Sequence, residues 1–458
     1  MILEKITIIG GGLSGCEAAW QAAQAGVSVK LYEMRPTVST GAHISGMLSE
    51  LVCSNSLGST QHNRPSGLLK DECKLLNSLL VRCAEETSIP AGDALAVDRE
   101  AFSRKVTEHI ELKPNIEVIR EEVKEIPAAP VIVASGPLTS DSLSRSISLI
   151  TGEEQLFFYD AIAPIVSAST INMDIAFRAS RYKFENETHG DYINCPFTEK
   201  QFFTFLEGLL SAQRIPLKEI ETAIPNVGLK DKVTFFEACL PIEVMAARDP
   251  LALTFGPMRP VGLRNPHTGQ RPYAVVQLRQ DDLADTLYNL VGFQTNLTFP
   301  EQNKLFHLIP GLENAEFIRF GQMHRNTYIN SPSLLKSSLQ MHSRKDIFFA
   351  GQIAGIEGYM GNIASGLVAG MNAARFLKGE QPLVFPLDTM IGAMHHYIAN
   401  ASPVNFQPMK ANLGLLPRLD HIPQNKQERG FCHAKRSLNS LKDFLGQDSV
   451  NGDQNEKQ

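Results

Sequence analysis

The stretch Ile6-Thr7-Ile8-Ile9-Gly10-Gly11-Gly12-Leu13-Ser14-Gly15 decides the fold. Four β-branched residues read as a buried strand, and the glycines that follow them match G-x-G-x-x-G. The match alone is weak, but its context is complete. An Ala-rich helical segment from about Cys16 to Ala25 is stopped by Gly26, and Val27 to Tyr32 makes a second strand ending at Glu33. Gly10 allows the tight turn, Gly12 lets the backbone approach a pyrophosphate, and Gly15 lets helix and strand pack closely. Together with Gly11, Leu13 and Ser14 they form the expected dinucleotide-binding turn. The helix N-terminus there offers N–H donors and partial positive charge to phosphates. Glu33 is placed to accept a hydrogen bond from a ribose hydroxyl.

Working outward, residues 36 to 66 read as a long functional loop, followed by helical pattern from Gly67 to about Glu86 and from Arg99 to Ile110. A buried strand, Val131 to Ala134, ends in Ser135-Gly136-Pro137, where Gly136 suits a further backbone contact with the dinucleotide. Between residues 146 and 320 the texture changes to short aromatic strands, Pro-punctuated turns and a helix near Glu199 to Ala212. Ile347 to Ala350 is again a core strand. It leads through Gly351, Gln352 and Gly358 into an Ala-rich helix over 364 to 377. A late strand, glycine turn and helix returning to the first domain favours FAD over NAD. The expected fold is therefore α/β: a Rossmann-like FAD-binding domain of the glutathione-reductase type, interrupted by an α+β insertion domain. Residues 1–145 and 321–430 form its two parts, 146–320 the insertion, and 431–458 a C-terminal helix and polar tail, disordered from about Gln447.

With 458 residues, 43% hydrophobic and 20% charged, the chain has the composition of a globular enzyme of two or three domain-sized units. A single Trp argues against carbohydrate binding or a membrane interface. Net charge is -6 and the pI about 6.1, so any nucleic-acid surface must be local. The seven Cys are irregularly spaced, with no CxxC pair, which excludes a disulfide framework and makes a metal site unexpected. A strand begins almost at once, without a leader-like segment, and no run approaches the roughly twenty apolar residues of a membrane span. A cytoplasmic protein is expected.

A disulfide reductase would need two thiols at CxxxxC spacing after the first βαβ unit, and Cys53, Cys73 and Cys83 do not provide it. Cys16, Cys73, Cys83, Cys195 and Cys432 read as small core residues. Cys53, in the polar loop Glu50-Leu51-Val52-Cys53-Ser54-Asn55-Ser56, and Cys239, two residues before Pro241, have the irregular settings of reactive thiols. From Pro250 to Gln280 there is no acid, but Arg259, Arg264, Arg271, Arg279 and His267 are present. That window is a candidate RNA-phosphate surface; its alternatives are a solvated loop and a site for folate carboxylates.

Strings along the chain, among them GGGLSGCEAAW, ELVCSNSLGS, FFEACLPIEVMA, FGPMRPVGL, IPGLENAEFIRFGQMHRNTYINSP and FFAGQIAGIEGYMG, closely resemble the folate- and FAD-dependent tRNA (uracil-5-)-methyltransferases (the TrmFO family). These are relatives of the glucose-inhibited division protein A flavoproteins. The resemblance runs from residue 5 to about 430. It implies formation of 5-methyluridine at the T-loop uridine of tRNA, with 5,10-methylenetetrahydrofolate as carbon donor and NADH or NADPH as reductant. It also implies thiol chemistry: a thiolate adds to uracil C6, the enolate takes up a methylene, and hydride delivery completes the methyl group. Cys239 is expected as the nucleophile and Cys53 as the proton-transfer partner, with the reverse assignment left open. Where the family has Glu-Ser, this chain has Gly361-Asn362, and Arg259 stands where Lys is usual. Two other readings remain: the same chemistry on 23S ribosomal RNA, and a flavin-binding subunit of a tRNA-modifying complex. A chain that ends soon after the flavin helix favours a self-sufficient enzyme. A plain NAD(P)H oxidoreductase lacks its second GxGxxG.

Overall fold

The computed structural model describes residues 5–128, 130–181, 190–215 and 240–455. Its centre is a five-stranded parallel sheet ordered Ile347–Phe349, Val131–Val133, Lys5–Ile9, Ser28–Tyr32 and Ile116–Ile119. Ile6, Ile8, Val131, Ile132, Val133, Ile347, Phe348 and Phe349 are fully buried. Such unbroken apolar runs are what a parallel sheet covered on both faces requires.

Two helices at the glycine turns give this sheet its function. The helix Leu13–Gln24 begins inside the glycine turn, earlier than its alanines suggest, and the helix Tyr359–Leu377 likewise starts well before residue 364. They cross at backbone contact. A Cβ on Gly366 would stand 2.2 Å from the Ser14 carbonyl oxygen, and one on Gly370 2.4 Å from that of Ala18. The helical pattern over 67 to 86 resolves into Pro65–Leu75 and Leu79–Glu86, broken where Ser78 caps the second helix by accepting from the Val81 N–H.

The insertion is a six-stranded antiparallel sheet, ordered Phe177–Arg178, Tyr192–Phe197, Ala274–Gln280, Leu287–Leu290, Ile165–Ser167 and Phe317–Arg319. It has its own core around Phe197, Phe202, Phe205, Phe293 and Phe306, separate from that of the parallel-sheet domain. The chain crosses between the cores on Leu156–Ile162 and returns on Gln322–Tyr328, which pair antiparallel. The expected division near residue 146 falls inside the helix Asp141–Thr151 instead. The helix Lys426–Asn455 also corrects the expectation of a disordered tail from Gln447, because its backbone stays helical across most of that polar stretch.

Candidate cofactor cleft and thiol site

A cleft opens at the C-terminal ends of the parallel strands, where ligands of open α/β sheets bind. Its walls bring together Gly10, Gly12, Leu13, Ser14, Glu33, Gly136, Gln352 and Tyr359. Four separate stretches of sequence singled out as cofactor-binding thus converge. Gly15 stands behind the cleft, where a Cβ would lie 1.8 Å from the Gly10 carbonyl oxygen; this is the close helix-to-strand approach expected of it. Gly11 donates its N–H to Glu33 (3.0 Å), and Gly351 donates to Ser365 Oγ (2.8 Å). Gly358 is the residue before the helix at Tyr359.

Glu33 does more than face the cleft. One carboxylate oxygen accepts from the Arg35 backbone N–H (3.0 Å) and Nε (2.9 Å), and the other from Gly11 and Arg35 Nη2 (3.2 Å). Burial pushes its pKa up, but the hydrogen bonds and charge of Arg35 outweigh that and hold it below the usual carboxylate range. Arg35 in turn donates to Glu50 (3.0 Å), so the glycine turn is tied to the loop that carries Cys53. Sequence reading missed Arg35 and Glu50 because nothing local marks a pairing across the cleft.

Two observations test whether the cleft fits FAD. A Cβ on Gly12 would meet nothing within 4 Å, so the backbone there is bare toward the cleft. Asn362, also in the wall, has a buried Oδ1 without a hydrogen-bond partner among the described residues, an acceptor suited to a ligand hydroxyl or N–H. The residues fit the group.

Beyond Tyr359 the cleft meets the Cys53 loop. The N–H groups of Cys53 and Ser54 donate to Tyr359 Oη at 3.0 and 3.1 Å. Arg99 donates to the Leu51 carbonyl (2.6 Å) and to that of Cys53 (3.4 Å), while its Nε grips Asp281 (2.8 Å). Arg279 donates to Asn55 Oδ1 (2.9 Å) and Ser54 Oγ (3.1 Å). The loop is therefore held by the flavin-side helix, by the parallel-sheet domain and by the insertion sheet. Burial lowers the pKa of Arg99, but Asp281 beside it outweighs this and raises it; burial leaves Arg279 lowered.

Of the other thiols, Cys16, Cys73, Cys83 and Cys195 sort as expected, whereas Cys432 is half-buried on the C-terminal helix rather than a core residue. Cys16, Cys73 and Cys195 are buried, and burial pushes Cys16 up to about 12. Cys239 lies outside the described residues. The chain resumes at the buried Leu240, and the helix Ile242–Arg248 follows. The arginine window divides: Arg259, Arg264 and Arg271 are exposed, whereas Arg279 is committed to the Cys53 loop and belongs to the site rather than to an outer phosphate surface. Among the described residues no cluster of His, Cys, Asp or Glu could hold a metal ion.

Residues 5–381 match the family described as glucose inhibited division protein A. The chain is 52% identical to the methylenetetrahydrofolate–tRNA-(uracil-5-)-methyltransferase TrmFO of Bacillus subtilis over 438 residues, covering 96% of this chain and 98% of that protein. It is 53% identical over 440 residues to the enzyme of the same name from Pelotomaculum thermopropionicum, again covering 96% and 98%. Among solved structures, Aquifex aeolicus GidA superposes with a TM-score of 0.68 at 16% identity, covering 96% of this chain and 73% of that one, which supports the fold. Family match, relatives and architecture agree: the chain belongs to the glucose inhibited division protein A family, and within it to the methylenetetrahydrofolate–tRNA-(uracil-5-)-methyltransferases.

Proposed function

We infer that the chain is an FAD-dependent enzyme that methylates C5 of a tRNA uridine with carbon from methylenetetrahydrofolate, NADH or NADPH being the reductant. The single observation that carries the assignment onto this chain's residues is the pair of hydrogen bonds from Cys53 and Ser54 to Tyr359. They put a thiol-bearing loop at the mouth of a dinucleotide cleft. The turn from Gly10 to Ser14 would hold the pyrophosphate of FAD, with Gly15 packing behind it; Gly136 and the stretch from Gly351 to Gly358 would hold the flavin side, and Glu33 would accept a hydrogen bond from a ribose hydroxyl. Bound FAD supplies hydride-transfer chemistry.

The protein's own groups supply the rest. Cys239 is the nucleophile that adds to uracil C6, and Cys53 moves the C5 proton. Arg99 and Arg279 place positive charge at the Cys53 loop, through the Cys53 carbonyl and Ser54 Oγ. The target is the T-loop uridine, and the enzyme works in the cytoplasm; among the described residues no helix is long and apolar enough to cross a membrane.

The test uses the full flavin-loaded chain and a T-arm RNA with 5-fluorouridine at the target. Wild type is expected to form a covalent adduct that maps to Cys239. Cys239→Ala should lose both adduct and methylation, while Cys53→Ala should lose methylation and keep the adduct. An adduct on Cys53 would reverse the two roles. Full activity of both variants would remove thiol chemistry altogether.

A further inference from the structure

Arg319 ends the edge strand Phe317–Arg319 of the insertion sheet, just before the chain returns to the cofactor domain on Gln322–Tyr328. Its Nε and Nη2 are buried and have no hydrogen-bond partner among the described residues. Arg99, Asp281, Tyr359 and Cys53 are close enough to act on its charge. Asp281 is already gripped by Arg99 and accepts from Asn289 Nδ2 (3.0 Å), and Arg279 donates only to neutral oxygens of Asn55, Ser54 and Asn289. Positive charge at this junction therefore exceeds negative charge, and one guanidinium edge is left over. Burial, with Arg99 close by, holds the Arg319 pKa below its usual value, as an unsatisfied cation requires.

We propose that the Nε–Nη2 edge of Arg319 is the binding site for a phosphate of the RNA next to the target uridine. The free edge is the face with which a guanidinium takes two oxygens of one oxyanion. The choice of phosphate follows from position. Arg319 is within electrostatic reach of Cys53, where the base must react. A nucleotide's own phosphate lies next to its base. The glutamyl carboxylates of a folate lie at the far end of the molecule from its one-carbon unit. Arg319 would thus set the target base between Cys53 and the cofactor cleft, and the inference rests on the reading of Cys53 given above.

The experiment compares wild type, Arg319→Met and Arg319→Lys as full-length, flavin-loaded protein. The RNA is a T-arm stem-loop, either unmodified or with a neutral methylphosphonate at the phosphate 5′ or 3′ of the target. Arg319→Met should weaken RNA binding about tenfold or more and lower the salt slope by about one. One methylphosphonate should weaken wild type comparably and leave Arg319→Met unaffected. Arg319→Lys, which keeps a charge but not the fork, should fall between. Flavin content and folate affinity should not change, and unchanged flavin content shows that the variants fold. Equal affinity and salt slope in wild type and Arg319→Met would overturn the proposal. So would a loss of folate affinity in place of RNA affinity, or a change confined to the pH dependence of Cys53 alkylation. If wild type itself neither binds nor methylates the RNA, both the functional reading and the site fail. If wild type methylates and Arg319→Met matches it, only the site fails.

Discussion

At Gly12 the backbone has φ -79 and ψ -169, a conformation any residue adopts, so glycine is not needed there for the turn. What it provides is a missing side chain toward the cleft. Gly12→Leu is therefore expected to yield a folded, colourless protein with a near-normal urea midpoint. Gly15→Ala, pressed on the Gly10 carbonyl, should lose about 1–3 kcal/mol of stability through overpacking. Absorbance and urea titration of the two variants separate these effects; a yellow Gly12→Leu would remove the pyrophosphate role. These glycines were legible in the sequence because a strand, a helix and an acid stand at fixed spacings around them. The setting of Arg279 was hidden for the opposite reason. An acid-free window looks like a free basic surface, yet the acceptors that hold Arg279 are Ser54 and Asn55, far away in sequence. Arg99 was hidden in the same way, since its partner Asp281 comes from another domain.

Among the elements, a buried carboxylate pins the helices behind the cleft. Glu72, in the helix Pro65–Leu75, accepts from Met390 N–H (2.7 Å) and Ile391 N–H (2.8 Å) at the start of the helix Met390–Asn400. It also accepts from Ser437 of the C-terminal helix. Burial pushes the Glu72 pKa up to about 7, against the lowering effect of these hydrogen bonds and with a small addition from Asp71. A raised carboxylate pKa means the folded chain binds the proton more tightly than the unfolded chain does. Its stabilising contribution is complete below the unfolded value and is lost as pH rises through about 7. At about 1.4 kcal/mol for each tenfold gain in proton affinity, the swing is on the order of 3 kcal/mol. Glu72→Gln should flatten the pH dependence of the urea midpoint between about pH 5 and 8, and parallel curves for the two proteins would refute this. Sequence periodicity marked the helix that carries Glu72, but neither the helix Met390–Asn400 nor this joint, which ties residues 72, 390 and 437 together. The same limit moved the starts of Leu13–Gln24 and Tyr359–Leu377: glycines at a helix N-terminus look like loop until the partner helix is known.

For the molecule as a whole, the division into a split cofactor domain and an insertion was legible, because buried parallel strands and short aromatic strands differ in texture. The crossing points were less visible, since the helix Asp141–Thr151 continues past the place where composition changes. The two units meet at the Cys53 loop through Arg99 and Asp281, so RNA bound on the insertion as proposed would be coupled to chemistry on the cofactor domain. Arg264 and Arg271 remain exposed on the insertion of a chain whose net charge is -6. Long-range attraction cannot hold RNA on such a protein, so local phosphate contacts must, and each contact contributes about -0.7 to -0.9 to the slope of log K against log salt. If both arginines touch the tRNA, the double variant Arg264→Gln, Arg271→Gln should bind it more weakly, with a slope shallower by about 1.4 to 1.8. NADPH oxidation without RNA should not change, because neither side chain lies in the wall of the cofactor cleft. An Arg319 variant differs in kind: one contact is lost rather than two, and a methylphosphonate beside the target abolishes the difference from wild type. An unaltered slope in the double variant would make the window a solvated loop and leave RNA recognition to the buried cations around Cys53.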